Sequence, residues 1–132
     1  MERGKGGSRL AGQVPDHRAL PAGVIGTQRM VRISRERLRH LAARRPEWLP
    51  LPLTNMADAL ADPEYLGYRR ERDTRRVEFV RAVGSDGVLL LVAVKFLDDR
   101  REAWVCTAHP LKRRYLTRRL RAGTMRAVGR GP

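Results

Sequence analysis

The stretch "GVLLLVAVKF", Gly87 to Phe96, is apolar at nearly every position. Side chains alternate between the two faces of a strand, so a half-buried strand carries a polar residue at every second position. This run does not, which predicts a central strand covered on both faces. Around it, "YLGYRRE", "RRVEFVRAV" and "EAWVCTAH" are β-favouring runs separated by short polar turns, of which "GSDG" is the clearest. Such short connections predict an antiparallel meander.

Upstream the pattern changes. "MVRIS" reads as a short strand, after which Ser34 can cap a helix from Arg35 to Arg45, because its hydroxyl oxygen accepts a backbone N–H of the first turn. Pro46 disfavours helical geometry at the residue before it and ends the helix. "EWLPLPL" is a proline-broken connector, and Thr54 to Ala61 forms a second helix with Met56, Ala59 and Leu60 on one side, stopped by Asp62 and Pro63. Helices followed by strands give an α+β domain from about Met30 to Leu120, with two N-terminal helices packed on a four-stranded antiparallel sheet. Residues 1–29, rich in glycine, proline and charge and without sustained periodicity, read as a flexible basic tail or linker. Residues 121–132 read as a second basic tail. His17, in the first of these, is expected to be incidental.

The chain has 132 residues, enough for one domain with a modest core, and its 28 basic against 14 acidic residues give a net charge of +14. Only three of the basic residues are lysine. Arginine choice can follow genome composition, but the distribution cannot: from Ala103 to Pro132 there are eight basic residues and no acidic one. A cationic C-terminal surface follows, with a polyanion as its counterpart. Cys106, the single cysteine, cannot form an intramolecular disulfide and reads as a small buried thiol, compatible with a reducing compartment. No apolar run reaches the ~18 residues of a membrane span and no signal-peptide core is present, so a cytoplasmic protein is expected.

Metal and nucleotide-cofactor motifs are absent: there is no HExxH, CxxC, Gly-x-Gly-x-x-Gly or Walker-type loop, and no cofactor is expected. The chain offers imidazoles, guanidiniums, a lysine and hydroxyls, which suit metal-independent cleavage of RNA. There a 2′-hydroxyl attacks the adjacent phosphate, a base takes its proton, an acid protonates the leaving 5′ oxygen, and cations stabilise the phosphorane. In "RLRHLAARRPEW", Leu38, Leu41 and Ala42 mark one helix face while His40 falls beside Arg37 and Arg44 on another. In the last strand, simple alternation puts Trp104, Cys106 and Ala108 on one face and Val105, Thr107 and His109 on the other. Lys95 ends the most apolar strand, where an ammonium must snorkel outward or meet an anion.

Taken in order, "RLRHLAARRPEW", "LADPEYLGYRR", "VEFVRAV", "LLLVAVKF" and "WVCTAH" resemble the phage-associated branch of the barnase, EndoU, colicin and RelE nuclease superfamily, over about Val31 to Tyr115. That branch shows a His-Ile-x-x-x-His-Pro-Glu helix, an Asn/Asp-Pro step, a strand ending in aromatic-x-Arg, an apolar strand ending near Lys, and a final strand with Thr-Ala. The resemblance implies a RelE- or barnase-like fold and matches His40 to the first histidine, Asp62 and Pro63 to the Asn/Asp-Pro step, Arg81 to the strand arginine, and Thr107 with Ala108 to the last motif. Arg45 stands where the second histidine is usual. A guanidinium is a poor proton donor or acceptor at neutral pH, so this departure points to weak cleavage or to binding alone, with His109 as a replacement.

The expected catalytic set is therefore His40, Arg81, Lys95, Thr107 and His109, with His40 projecting toward the sheet face or edge that carries Arg81, Lys95 and Thr107. Arg37, Arg44, Arg45, Arg113, Arg114 and Tyr115 are the expected RNA-binding residues, Tyr115 by stacking on a base. The function implied is a toxin-type, metal-independent endoribonuclease controlled by an antitoxin or immunity protein. The alternatives are a catalytically silent RNA-binding module on the same fold and a DNA-binding autoregulator.

Overall fold

A computed structural model describes residues 7–15, 20, 30–44, 51–71, 74–83, 87–97 and 103–128. The strands are β1 (Ser8–Gln13), β2 (Met30–Ser34), β3 (Tyr65–Glu71), β4 (Thr74–Val83), β5 (Val88–Leu97), β6 (Ala103–Leu111) and β7 (Arg126–Ala127). The helices are α1 (Arg35–Arg44), α2 (Leu51–Ala61) and α3 (Arg113–Ala122). All seven strands form one sheet in the order β1-β2-β6-β5-β4-β3-β7. The pairing is antiparallel throughout except for β2 with β6, which is parallel.

β5 lies at the centre of this sheet, and Leu90 through Val94 with Phe96 are fully buried. Its even-numbered side chains Leu90, Val92, Val94 and Phe96 pack with Val77 and Phe79 of β4, Val31 and Ile33 of β2, and Leu41, Met56 and Leu60 of α1 and α2. Its odd-numbered Leu89, Leu91 and Ala93 pack with Val80, Leu111, Met125 and Leu116 of α3. The helix pair thus covers one face and α3 covers part of the other. Fully burying a Val, Leu, Ile or Phe side chain is worth about 1.5–3 kcal/mol, which makes this two-sided strand the organising element.

The expected two helices on a four-stranded antiparallel sheet is incorrect. Among the described residues the sheet has seven strands, is mixed, and carries three helices. Part of the expected leading tail is instead a strand, in which Gly12 serves packing. Ser8–Gln13 pairs with β2 through a register shift between Leu10 and Gly12, and Ala11 and Val14 are buried. A Cβ at Gly12 would lie 3.1 Å from both Ala57 Cα and Leu60 Cδ1, so the absent side chain lets α2 settle on the strand. Gly7 and Ser8 add polar ties: the Arg35 N–H donates to the Gly7 carbonyl at 2.9 Å, and Arg32 Nε donates to Ser8 Oγ at 2.8 Å. At the other end, Arg126 and Ala127 pair with β3, so part of the expected C-terminal tail is strand β7. No helix among the described residues is long and apolar enough to cross a membrane.

Candidate nucleic-acid interface

The side chains on the α3 face follow from strand register. Arg69 of β3 is opposite Arg76 of β4, Arg76 is opposite Lys95 of β5, Lys95 is opposite Trp104 of β6, and Trp104 is opposite Arg32 of β2. Five adjacent strands therefore present a single row of four cations and one indole, about 19 Å long at ordinary strand spacing. Arg69 and Lys95 are exposed, while Arg32, Arg76 and Trp104 are half-buried. Like charges directly opposite each other are destabilising, so the cross-strand pairs Arg69/Arg76 and Arg76/Lys95 do not themselves favour folding.

The row lies beside α3, because that helix packs over Leu89, Leu91 and Leu111 at the other half of the face. Leu116 is the buried side chain of α3, and Lys112, Arg113, Arg114, Tyr115, Arg118 and Arg121 are exposed. Gly123, with φ 79°, closes the helix, and the N–H groups of Gly123 and Thr124 reach the Leu120 and Arg119 carbonyls. Arg119 leans onto the sheet, its Nη1 2.5 Å from Glu78 Oε1. Tyr115, four residues earlier, lies on the same flank of the helix and is exposed. The Arg114 and Arg118 guanidiniums stand 5.0 and 5.4 Å from its ring centroid. A hydrogen bond from Arg114 and the charges around it hold the Tyr115 phenol below its usual range.

A bulge in β6 completes the surface. Ala93 is opposite Thr107 whereas Val94 is opposite Val105, leaving Cys106 as an extra residue. Burial pushes the Cys106 thiol up, while the charges of Arg76, Lys95 and Arg37 act on it in the opposite direction. Thr107 and His109 are on this face, opposite Ala93 and Leu91. His109 Nδ1 lies 2.8 Å from the Pro110 carbonyl oxygen. A carbonyl only accepts, so Nδ1 carries the proton and Nε2 is the acceptor in the neutral ring.

Several expected site residues thus gather here: Lys95, Thr107 and His109 share the α3 face, and Tyr115 lies on the adjoining flank of α3, whereas Arg37 belongs to α1, which packs on the other face. Arg113 and Arg114 are exposed on α3, with Arg113 on the flank away from the row. The expected cluster of Arg81, Lys95 and Thr107 on one face does not form. Arg81 is opposite Leu90, on the helix-pair face, where its Nη1 donates to the Asp62 carbonyl at 2.7 Å and to Asp62 Oδ2 at 3.0 Å. It ties down the turn between α2 and β3. The Arg81 and Asp62 positions singled out by the resemblance are therefore partners of each other.

His40 is exposed on α1 and makes no hydrogen bond or ion pair among the described residues. Arg45, His17 and the side chain of Arg44 lie outside the described residues. Sequence reasoning missed Arg32, Arg69, Arg76, Trp104 and Arg119. The β3–β4 and β4–β5 registers would have found two of them, since both connections are short and the pairs 69/76 and 76/95 follow from them. Comparisons with family models, curated proteins and solved structures give no match to this chain.

Proposed function

We propose that the protein binds single-stranded RNA across the α3 face of its sheet. The observation that carries this reading is the row Arg69, Arg76, Lys95, Trp104 and Arg32, flanked by Tyr115 on α3. Single strands are held by cations that track the phosphates and by aromatic rings on which bases stack, a combination this surface supplies. RNA rather than DNA comes from the nuclease resemblance. Fluorescence anisotropy with a uridine 12-mer, its DNA counterpart and a duplex DNA tests the proposal. Tightest binding is expected for the RNA, with Trp104→Ala lowering it; preference for the duplex would favour the autoregulator instead.

A second reading, metal-independent cleavage, is favoured by His109. Its Nε2 is set to accept a proton, and Thr107 and Lys95 lie on the same face. In this reading His109 takes the 2′-hydroxyl proton as that oxygen attacks the phosphate, Lys95 and Arg76 neutralise the phosphorane, the bond to the 5′ oxygen breaks and that oxygen takes a proton from water, and an acidic antitoxin or immunity partner would cover the row. Incubation with RNA in EDTA, followed by analysis for 2′,3′-cyclic phosphate ends, tests it. His109→Ala should then cut the rate ~100-fold to 10,000-fold with binding retained. Intact RNA after long incubation leaves the binding module.

A further inference from the structure

At the β3 end of the row lies a cleft of about 420 Å³ lined by Gly67, Arg69, Arg76, Glu78, Arg119 and Thr124. From its charge and shape, and resting on the RNA-binding reading above, we infer that this cleft seats the terminal phosphomonoester of a single strand.

Three guanidiniums surround one carboxylate, so the lining carries a net charge of +2. A phosphomonoester brings about −1.5 to −2 at neutral pH, whereas each internal phosphodiester brings −1. Glu78 is only 17% exposed and holds Arg119 in place, while Arg76 Nη2 is 3.7 Å from Glu78 Oε2, beyond hydrogen-bonding distance. Arg76 Nε is buried and has no hydrogen-bond partner among the described residues. Arg76 thus retains donor capacity that Glu78 does not use. Glu71, the partner of Arg69, is 47% exposed and lies outside the lining, so solvent screens it.

The cleft lies at the end of the row and is closed on one side. The turn after α3 presses on β3: a Cβ on Gly67 would come within 3.0 Å of the Thr124 carbonyl oxygen and 3.2 Å of Met125 Cε. That contact closes the cleft on the side toward α3, two residues along β3 from Arg69. A strand whose end lies beyond Trp104, Lys95 and Arg76 rests its last phosphate among Arg69, Arg76 and Arg119, at the β3 end of the row. Guanidiniums bind such an oxygen-rich dianion through charge-assisted, often bidentate hydrogen bonds.

The test uses the full chain and three uridine 12-mers, with a 5′-phosphate, a 3′-phosphate, or hydroxyls at both ends, measured by anisotropy in EDTA, with uridine 5′-monophosphate as a separate ligand. One phosphorylated oligomer should bind about tenfold tighter than the hydroxyl oligomer. Arg76→Gln and Arg119→Gln should bring that ratio close to one. Trp104→Ala should weaken all three oligomers alike and leave the ratio standing. Glu78→Gln, which raises the net charge of the cleft, should increase the ratio, an effect a merely structural role would not produce. If Arg119→Gln fails to fold, Arg69→Gln on the exposed rim takes its place.

Equal binding of the three oligomers overturns the inference and leaves RNA binding standing. Mononucleotide binding as tight as that of the phosphorylated oligomer overturns the strand end in favour of a free nucleotide. Failure of every oligomer to bind removes both the strand end and the RNA reading.

Discussion

Lys95→Thr is expected to make the protein more stable and a weaker binder at once. Lys95 lies between Arg76 and Trp104 in the central strand, is exposed, and makes no ion pair among the described residues. A like-charge pair directly across a sheet costs about 0.2–1 kcal/mol relative to a neutral one, and threonine is the better strand former. The substitution should therefore stabilise by about 0.5 kcal/mol, a rise of about 1–4 °C in Tm for a domain of this size. If Lys95 contacts a phosphate, its loss removes one counterion-release term, lowering the slope of log K against log salt by about 0.7 for a single strand. Between 50 and 200 mM salt, that slope change corresponds to about 2.6-fold in affinity.

Thermal denaturation without RNA gives the first quantity, and anisotropy titrations at the two salt concentrations give the second. The opposite signs matter: a residue retained for the fold loses stability when removed, and one retained for a ligand does not. Destabilisation by more than about 1 kcal/mol, with an unchanged salt slope, would refute the reasoning and make Lys95 a structural residue.

Leu116→Ala should destabilise the protein by about 2–5 kcal/mol in denaturant titrations, since Leu116 is the buried side chain by which α3 holds the sheet. Gly67→Ala should cost about 1–3 kcal/mol in the same assay, because the Thr124 backbone cannot yield as a flexible side chain would. Cys106, its thiol pushed up by burial, should react slowly with iodoacetamide at pH 7.5 compared with free cysteine. Its raised value also sets a linkage sign. The neutral thiol's contribution to stability is fully present below the unfolded-state thiol pKa and is lost as pH rises through the higher folded value, a loss that Cys106→Ser should remove from the stability–pH profile.

The parts of the fold that were legible in the sequence are those encoded by neighbours along the chain. The run from Val88 to Phe96 had to be buried on both faces, and the short turns before and after it fixed the antiparallel β3–β6 meander. Ser34 also caps α1 as its side chain predicts, accepting the Arg37 N–H at 3.0 Å. What was not legible depends on distant partners. Nothing in "SRLAGQ" announces a strand until α2 is present to need Gly12, and the parallel pairing of β2 with β6 joins segments about seventy residues apart. Residues 113–122 read as a cationic segment because one leucine, Leu116, anchors a helix whose other sides face solvent.

The site was hidden by a single residue. Strict alternation along β6 separates Trp104 from Thr107 and His109, which stand three and five positions further on, because odd offsets fall on opposite faces. The extra residue at Cys106 reverses that parity: Trp104, Thr107 and His109 come to one face, and Val105 and Ala108 to the other. Without the bulge, a Trp104 still paired beside Lys95 would leave Thr107 and His109 on the helix-pair face, opposite Val92 and Leu90. Polar side chains there would lack the partners that burial demands. The bulge keeps a continuous apolar layer under α1 and α2 while collecting an indole, a hydroxyl and an imidazole beside the cationic row. Register alone therefore turns one strand into both a core wall and a binding surface.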